Sequence, residues 1–270
     1  MRLFQSAGFC VLITLTNTAI AQLRVVVLSP ELAENVFAIG AGDRIVGRIE
    51  SADYPDAVKA IPSVGDYQTL NAEKILTLAP DRVLAWSGGN TERQLSHLES
   101  LGLTVIRFKS EQLSDFSDQL TQLGELFNRE PQAKIITNRF SKRLDELSLN
   151  ASSEPVTVFY QLWNDPLITI NGDSWISESI SLCGGSNVFS QRPEPSPQVS
   201  IEAVISTNPD VIVGSSDLTD GWASMWSPWT SISAVSNQRI VTVNADQLHR
   251  LTLRTLVGLE SLCDAINPLD

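Results

Sequence analysis

The sequence predicts an α/β fold of two lobes, each with a mostly parallel sheet, joined by a single long helix that leaves a cleft between the lobes. Apolar runs typical of buried strands alternate with amphipathic stretches along the whole chain, as in α/β proteins. One helix–turn–strand unit also occurs twice, at 73–83 and 202–211. In each copy a Glu opens a short apolar helix, and a Pro-Asp pair precedes a hydrophobic strand, which indicates an internal repeat.

The joining helix is predicted at residues 131–149. Its apolar residues recur at helical spacing, and charged residues occupy the remaining arc. Pro131 suits a first helical turn, where a missing N–H costs nothing. The helix would separate a first lobe, residues 22–130, from a second lobe, residues 150–270, and its stiffness predicts little closure between them.

The first 21 residues are typical of a secretory signal peptide. Arg2 gives a positive start, a brief apolar run follows, and Ala19-Ile20-Ala21 matches a cleavage site. The apolar run is too short for a membrane anchor, which needs about 20 apolar residues. We therefore expect residues 1–21 to be removed and the mature chain to be exported and soluble.

In the first lobe, the order of elements follows from apolar runs and from the residues that typically begin or end helices. Glycines at 40 and 42 end the first helix, Asn71 is a plausible N-cap, and Gly102 ends another helix. The predicted strands are 24–28, 44–49, 82–86 and 104–108, and the predicted helices are 31–39, 71–78, 91–101 and 114–127.

The second lobe continues the alternation. A strand at 156–163 turns at Asn164-Asp165-Pro166 and returns at 167–170, and the Cys-Gly-Gly stretch at 183–187 breaks the following helix. A proline-rich loop is expected at 191–197 and a loop with Trp222 and Trp226 at 217–228. The remaining predicted strands are 211–215 and 239–243, and the predicted helices are 175–182, 201–206 and 251–266.

Export leaves two cysteines, Cys183 and Cys263. An even count in an oxidising compartment favours one disulfide over two buried thiols. This bridge would tie the middle of the second lobe to the C-terminal helix.

Composition and motifs narrow the function. The net charge is −12, which disfavours binding to nucleic acid or to an anionic membrane and suits a partner that presents arginines. The chain has no nucleophile elbow, no zinc-protease helix motif and no phosphate loop, and its cysteine spacing does not match a metal site. We therefore predict a binding protein, not an enzyme, with no cofactor and no metal.

Open α/β sheets bind ligands beyond the carboxyl ends of their strands, and clefts between lobes are favoured pockets. Trp86 ends a strand ahead of two glycines that would let a ligand approach the backbone, and Trp163 ends the strand that opens the second lobe. Tyr67 lies in the loop before a repeat helix, and Asp246 follows the last strand, with His249 and Arg250 just beyond. Core packing is the simpler interpretation for Trp175 and Trp229, and it is also open for Trp222 and Trp226.

Several motifs resemble the periplasmic binding proteins of the helical-backbone class, and most of all their cobalamin-binding members. In the first lobe these are Leu28-Ser29-Pro30, Asp53-Tyr54-Pro55, and the run Ala85-Trp86-Ser-Gly-Gly-Asn90. In the second lobe they are Cys183-Gly-Gly-Ser-Asn-Val-Phe, Pro197-Gln-Val-Ser-Ile-Glu202, and 246–250. The resemblance covers essentially the whole mature chain.

The resemblance implies a corrinoid held in the cleft by Tyr67, Trp86, Asp246 and Arg250, and a periplasmic monomer that delivers it to an ABC transporter permease. Glu73 and Glu202 match the glutamates that dock onto permease arginines, although helix dipoles alone favour acids there. Ser51 and Ser196 replace family aromatics. Trp163 and Ser196 are still expected to bind the ligand, and either Trp163 and the Trp222–Trp226 loop compensate for the missing rings or the ligand differs from cobalamin. A ferric siderophore or haem carrier of the same class is the alternative.

Overall fold

The computed structural model describes residues 22–149 and 156–267. They form two four-stranded parallel sheets, with strand orders β2-β1-β3-β4 and β6-β5-β7-β8. The α/β fold class predicted from the sequence is therefore confirmed. The predicted signal peptide at 1–21 lies outside the described residues, and the lobe boundaries remain predictions.

The first sheet contains β1 (Val25–Val27), β2 (Ile45–Arg48), β3 (Arg82–Trp86) and β4 (Val105–Phe108). Its helices are α1 (Pro30–Ala38), α2 (Ala72–Thr77), α3 (Glu92–Ser100) and α4 (Asp115–Phe127). Side-chain caps fix several helix starts: Ser29 accepts from Leu32 N, Asn71 from Lys74 N, and Thr91 forms a capping box with Gln94.

The second sheet contains β5 (Val156–Gln161), β6 (Gly185–Asn187), β7 (Val211–Ser215) and β8 (Ile240–Val243). Between the sheets runs α5 (Glu130–Leu149), close to the predicted bounds. The later helices are α6 (Trp175–Leu182), α7 (Ile201–Thr207), α8 (Ser233–Ser236), α9 (Ala245–Leu248) and α10 (Thr255–Ile266).

The internal repeat is visible in a pair of hydrogen bonds that occurs both before β3 and before β7. Asp81 precedes β3, and its carboxylate accepts the Arg24 N–H at 2.8 Å while its own N–H donates to the Arg24 carbonyl at 2.8 Å. Asp210 precedes β7 and makes the same pair with Thr157, both at 2.9 Å. The Pro-Asp pair therefore joins the third strand of each sheet in the chain order to the first.

Two sequence predictions were wrong, and one strand was not predicted. Residues 167–170 form no strand, because Ile168 makes only isolated bridges to Trp163 and Gln198. The helix ends at Leu182, just before the predicted break at 183, but residues 185–187 then form the edge strand β6, which the sequence did not indicate. The last helix begins at Thr255 and not at 251, because the Thr255 hydroxyl accepts the Thr252 N–H at 2.9 Å and the Thr252 hydroxyl accepts the Arg254 N–H.

One hydrophobic core runs through both lobes. It includes residues of α1 and α4, the buried side of α5 at Phe140 and Leu147, and residues of β5 and α10. Hydrogen bonds reinforce this junction: Asn35 donates to the Leu251 carbonyl at 3.2 Å, and the Leu113 N–H donates to Glu178 at 2.8 Å. A shared core resists relative motion of the lobes, since opening it would expose apolar surface to water.

The predicted disulfide is present between Cys183 and Cys263, whose Cα atoms lie 4.8 Å apart. Cys183 follows α6 and Cys263 lies on α10, so the bridge joins two helices of the second lobe. Among the described residues no helix is long and apolar enough to cross a bilayer.

Candidate functional site

The first-lobe wall consists of Tyr67 and Trp86. Trp86 ends β3, and its indole lies against the backbone of Gly88 and Gly89. A Cβ at Gly89 would lie 2.5 Å from Trp86 Cε3 and 3.0 Å from Tyr67 Cε1. The two glycines therefore make room for the indole itself, and the expectation that they also admit a ligand to the backbone stays a prediction. They also bring the two rings together.

The loop beneath Trp86 is held by Asn90. Its side-chain oxygen accepts the Trp86 N–H at 2.9 Å, and its side-chain amide donates to the Leu28 carbonyl at 3.3 Å. Because Asn90 is buried, these bonds satisfy groups that could not reach water. The indole is thus presented on a fixed turn.

Tyr67 is half-buried, and burial raises the pKa of its hydroxyl to about 12. The nearby hydroxyls of Ser51 and Ser29 act in the opposite direction, as does the charge of Arg250. Tyr67 therefore remains a neutral phenol at physiological pH. Ser51, the position of a missing family aromatic, lies beside the Tyr67 hydroxyl.

Arg250 connects the two lobes. Its Nη1 lies 2.7 Å from Asp53 and 3.3 Å from Glu34, both in the first lobe, and its Nη2 lies 2.7 Å from Asp246. Arg254 adds a hydrogen bond from its Nε to Glu34 at 2.9 Å. The predicted pair Asp246 and Arg250 is therefore in direct contact, and the charge of Arg250 acts to lower the pKa of Tyr67.

Burial and ion pairing compete in this cluster. Burial acts to raise the pKa of Asp53, but the hydrogen bond and the charge of Arg250 outweigh it and leave that pKa lowered. Asp53 consequently stays ionised, and the bridge between the lobes holds across the neutral range. Sequence reasoning did not select Asp53 or Glu34; the only signal was the turn motif that contains Asp53.

On the second lobe, Trp163 follows β5 with 51% of its surface exposed. Its indole N–H donates to the Asp165 carbonyl at 3.2 Å, and it lines a cavity of about 170 Å³. Trp222 and Trp226 are buried in the second-lobe core, where their indole N–H groups donate to Thr242 and Gln161. They are core residues, so of the three tryptophans that the sequence considered for the ligand site in this lobe, Trp163 is the exposed one.

Ser196 lies on the exposed 191–197 loop. The carbonyls on either side of it, at Pro195 and Pro197, accept N–H bonds from Asn171 and Thr169. The loop is therefore attached beside Ile168, which bridges Trp163. Within the described residues, no hydrogen bond links the Ser196 side chain to Arg250 or to the first-lobe wall.

His249 lies behind the Arg250 cluster. Its Nε2 is 2.7 Å from the hydroxyl of the buried Tyr160, and its Nδ1 is 3.5 Å from Asp217. The contact with His249 lowers the pKa of Asp217, while burial raises that of Tyr160. The sequence singled out His249 but missed both of its partners.

Glu73 and Glu202 are exposed at matching positions, each the second residue of a short helix, α2 and α7. Both helices precede the third strand of their sheet in the chain order. Hydrogen bonding from its own backbone N–H and from Ser200 lowers the pKa of Glu202. The fold therefore presents one equivalent acid on each lobe.

Another cavity, of about 440 Å³, lies between α1, the Tyr54-Pro55 turn and residues 252–257. It contains none of the residues predicted to bind ligand. In the described ranges, no group of three or more His, Cys, Asp or Glu side chains is arranged to hold a metal ion.

Comparisons with known proteins identify relatives over nearly the whole chain. The family model described as periplasmic binding protein matches residues 25–246. The vitamin B12-binding protein of Vibrio cholerae is 38% identical over 243 residues, which cover 89% of this chain and 87% of the relative. That of Vibrio vulnificus is 37% identical and covers 89% of both chains.

Solved structures agree. The crystal structure of the periplasmic vitamin B12 binding protein of Vibrio cholerae matches with a TM-score of 0.82 and 38% identity, covering 90% of this chain and 96% of the other. A periplasmic haem-binding protein of Vibrio cholerae reaches a TM-score of 0.80 at 21% identity, covering 91% and 99%. The latter match shows the shared fold alone.

Proposed function

This chain belongs to the periplasmic binding protein family, and from that premise we propose that it captures cobalamin or a related corrinoid and delivers it to an ABC transporter permease. The observation that carries the proposal is the 38% identity to a vitamin B12-binding protein across nearly the whole chain, together with the close structural match. We propose a periplasmic monomer that enters the periplasm through a cleaved signal peptide and performs no chemistry on its ligand.

The geometry supports a flat, partly apolar ligand. Tyr67 and Trp86 offer adjacent aromatic rings on one lobe, and Trp163 offers a half-exposed ring on the other. Aromatic faces contribute large buried areas with few rotatable bonds, which suits a rigid macrocycle. Asp246 and Arg250 supply polar groups between them.

A ferric siderophore or haem carrier is the second candidate, because haem-binding proteins share the fold. Haem and ferric catecholate siderophores carry negative charge that favours free cationic side chains. Here Arg250 is paired with Glu34, Asp53 and Asp246, and Arg254 also pairs with Glu34, so two guanidiniums face three carboxylates. This electrostatic environment favours a ligand whose periphery is neutral.

Calorimetry of the mature protein with cobalamin, cobinamide, haem and a ferric siderophore tests the proposal. We expect the two corrinoids to bind and haem and siderophore to bind at least tenfold more weakly. Tight haem binding without corrinoid binding would replace the proposal with the second candidate. The exposed His97→Ala variant on α3 serves as a control for nonspecific effects of substitution.

A further inference from the structure

The second-lobe pocket is the cavity of about 170 Å³ beside Trp163. It is lined by Trp163, Asn164, Asp165, Asp217, Leu218 and Thr219. It combines an aromatic face with several polar groups, and nothing in the family resemblance assigned a role to Asp217. The hydrogen bonds inside the pocket indicate what kind of group it accepts.

The donors of the pocket are largely used within the protein. The Trp163 indole N–H donates to the Asp165 carbonyl at 3.2 Å, and the Asn164 amide donates to Thr219 Oγ1 at 2.6 Å. The Asn164 oxygen in turn accepts from Gln161 at 2.6 Å. The groups left to meet a ligand are mainly two carboxylates, that of Asp217, whose side chain is 63% exposed, and that of the exposed Asp165. A carboxylate only accepts hydrogen bonds, so it requires a ligand N–H or O–H.

Asp217 is held in place from behind. His249 Nδ1 lies 3.5 Å from its Oδ2, and His249 Nε2 lies 2.7 Å from the buried Tyr160 hydroxyl. Tyr160 is on β5, the central strand that also leads into Trp163. The aromatic face and the carboxylate are therefore positioned from the same strand.

The surrounding charge does not favour an anion. The ionisable groups near Asp217 are His249, Tyr160 and Arg250, with Asp165 lining the same pocket. The contact with His249 lowers the pKa of Asp217, so it stays charged at neutral pH. Arg250 is already paired with Glu34, Asp53 and Asp246.

We propose that the second-lobe pocket receives a primary carboxamide side chain of the corrinoid, with Asp217 accepting its N–H, and that Asp217 thereby rejects a carboxylate at the same place. This inference rests on the proposed function and deepens it. Primary amides surround the corrin ring, and each offers N–H donors without charge. Haem carries propionates instead, which Asp217 would repel. Asp217 is thus a specificity-determining residue, and His249 is a positioning residue.

The test uses cobalamin and its monocarboxylates, in which one ring amide is hydrolysed to an acid, with the isomers measured separately by calorimetry at pH 7. For the wild-type protein we expect at least one isomer to bind about tenfold or more weakly than cobalamin. Asp217→Asn should reduce that ratio for the same isomer by about tenfold. Asp220→Asn, an exposed acid in the same loop, should leave the ratio unchanged.

The role of His249 is tested by rescue. His249→Leu should reduce the discrimination, whereas His249→Asn, whose amide can still donate near the position of Nδ1, should retain more of it. A general loss of folding would lower affinity for cobalamin and monocarboxylates alike and leave their ratio unchanged.

The outcomes separate the two proposals. If cobalamin binds tightly but the ratio is the same in wild type and Asp217→Asn for every isomer, the role of Asp217 is wrong and the proposed function stands. If no corrinoid binds, both are wrong.

Discussion

The two lobes share a scaffold but differ at the carboxyl ends of their strands. Both sheets have the same strand order, both use an Asp to tie the third strand to the first, and both present a Glu as the second residue of the preceding helix. Their walls differ: the first lobe stacks two rings against a double glycine, whereas the second offers one half-exposed ring beside a carboxylate.

This difference separates the parts of the repeat that the fold requires from the parts that can vary with the ligand. The hydrogen bonds of Asp81 and Asp210 satisfy backbone groups at the start of a buried sheet, so replacing either Asp leaves polar atoms unpaired. The strand ends and their loops have no such requirement and are free to differ with the ligand. The duplicated acids are exposed and contribute little to packing, so their equivalence favours a two-fold partner.

The largest expected effect is on permease binding, and it comes from the exposed glutamate that each lobe carries at the same position. Glu73→Arg combined with Glu202→Arg should abolish binding to the permease, because two repulsive contacts replace two attractive ones. Pull-down with the permease in detergent measures this, with calorimetry of cobalamin binding expected to be unchanged. Each single variant should retain part of the binding; a normal complex in the double variant would refute the docking role.

The next effect concerns the contact between the lobes. Glu31, 4% exposed, accepts from Ser110 and Gln119 in the first lobe and from the Leu251 N–H of the second at 3.4 Å. Burial raises its pKa from 4.5 to about 7. The folded protein therefore holds this proton more tightly than the unfolded chain does. The resulting stability is complete below pH 4.5 and is lost as the pH rises through 7.

Urea unfolding from pH 4.5 to 8 measures this effect. Wild type should lose up to about 3 kcal/mol more unfolding free energy than Glu31→Gln does over that range. The comparison between the two proteins cancels the opposite contribution of Asp217, whose pKa is lowered. Parallel pH profiles for both proteins would show that Glu31 titrates normally.

A smaller effect separates the two walls. Trp86→Ala should weaken corrinoid binding by about 1–3 kcal/mol, given what a buried aromatic contributes. Trp163→Ala should cost less, about 1 kcal/mol or below, because Trp163 is a single ring whereas Trp86 acts beside Tyr67. Calorimetry with cobalamin ranks the two. Equal losses would mean that the ligand covers both walls alike, and no loss from Trp86→Ala would remove it from the site.

The smallest expected effect is on stability, when a residue of one lobe is replaced by its counterpart in the other. Ala79 and Asn208 both precede the Pro-Asp pair, and both have φ of 45°. Left-handed backbone suits Asn better than Ala, so Ala79→Asn should stabilise the protein by about 0.5–1 kcal/mol. Asn208→Ala should destabilise it by more, since it also removes a hydrogen bond from the Ser233 N–H. Thermal unfolding measures both, and a destabilising Ala79→Asn would contradict this account.

Local patterns predicted most elements because those elements depend on neighbouring residues. The amphipathic spacing of α5, the N-cap at Asn71 and the apolar run of β3 all appear where the sequence indicated. The edge strand β6 escaped prediction because Gly-Ser-Asn has no strand propensity, and only pairing with β5 makes it a strand. The strand predicted at 167–170 is wrong for the opposite reason: its residues have strand propensity, but they pack without a partner strand.

By itself the sequence determined the α/β class, the repeated unit, the cysteine pair and the aromatic residues at strand ends, since each is a matter of composition or of spacing along the chain. The contacts of Arg250 with Asp53 and Glu34 appear only in the folded protein. The same is true of the position of His249 between Tyr160 and Asp217. It is also true of the burial of Trp222 and Trp226 in the core. Those contacts join residues far apart in the chain, and their partners are chosen by how the sheets and helices pack.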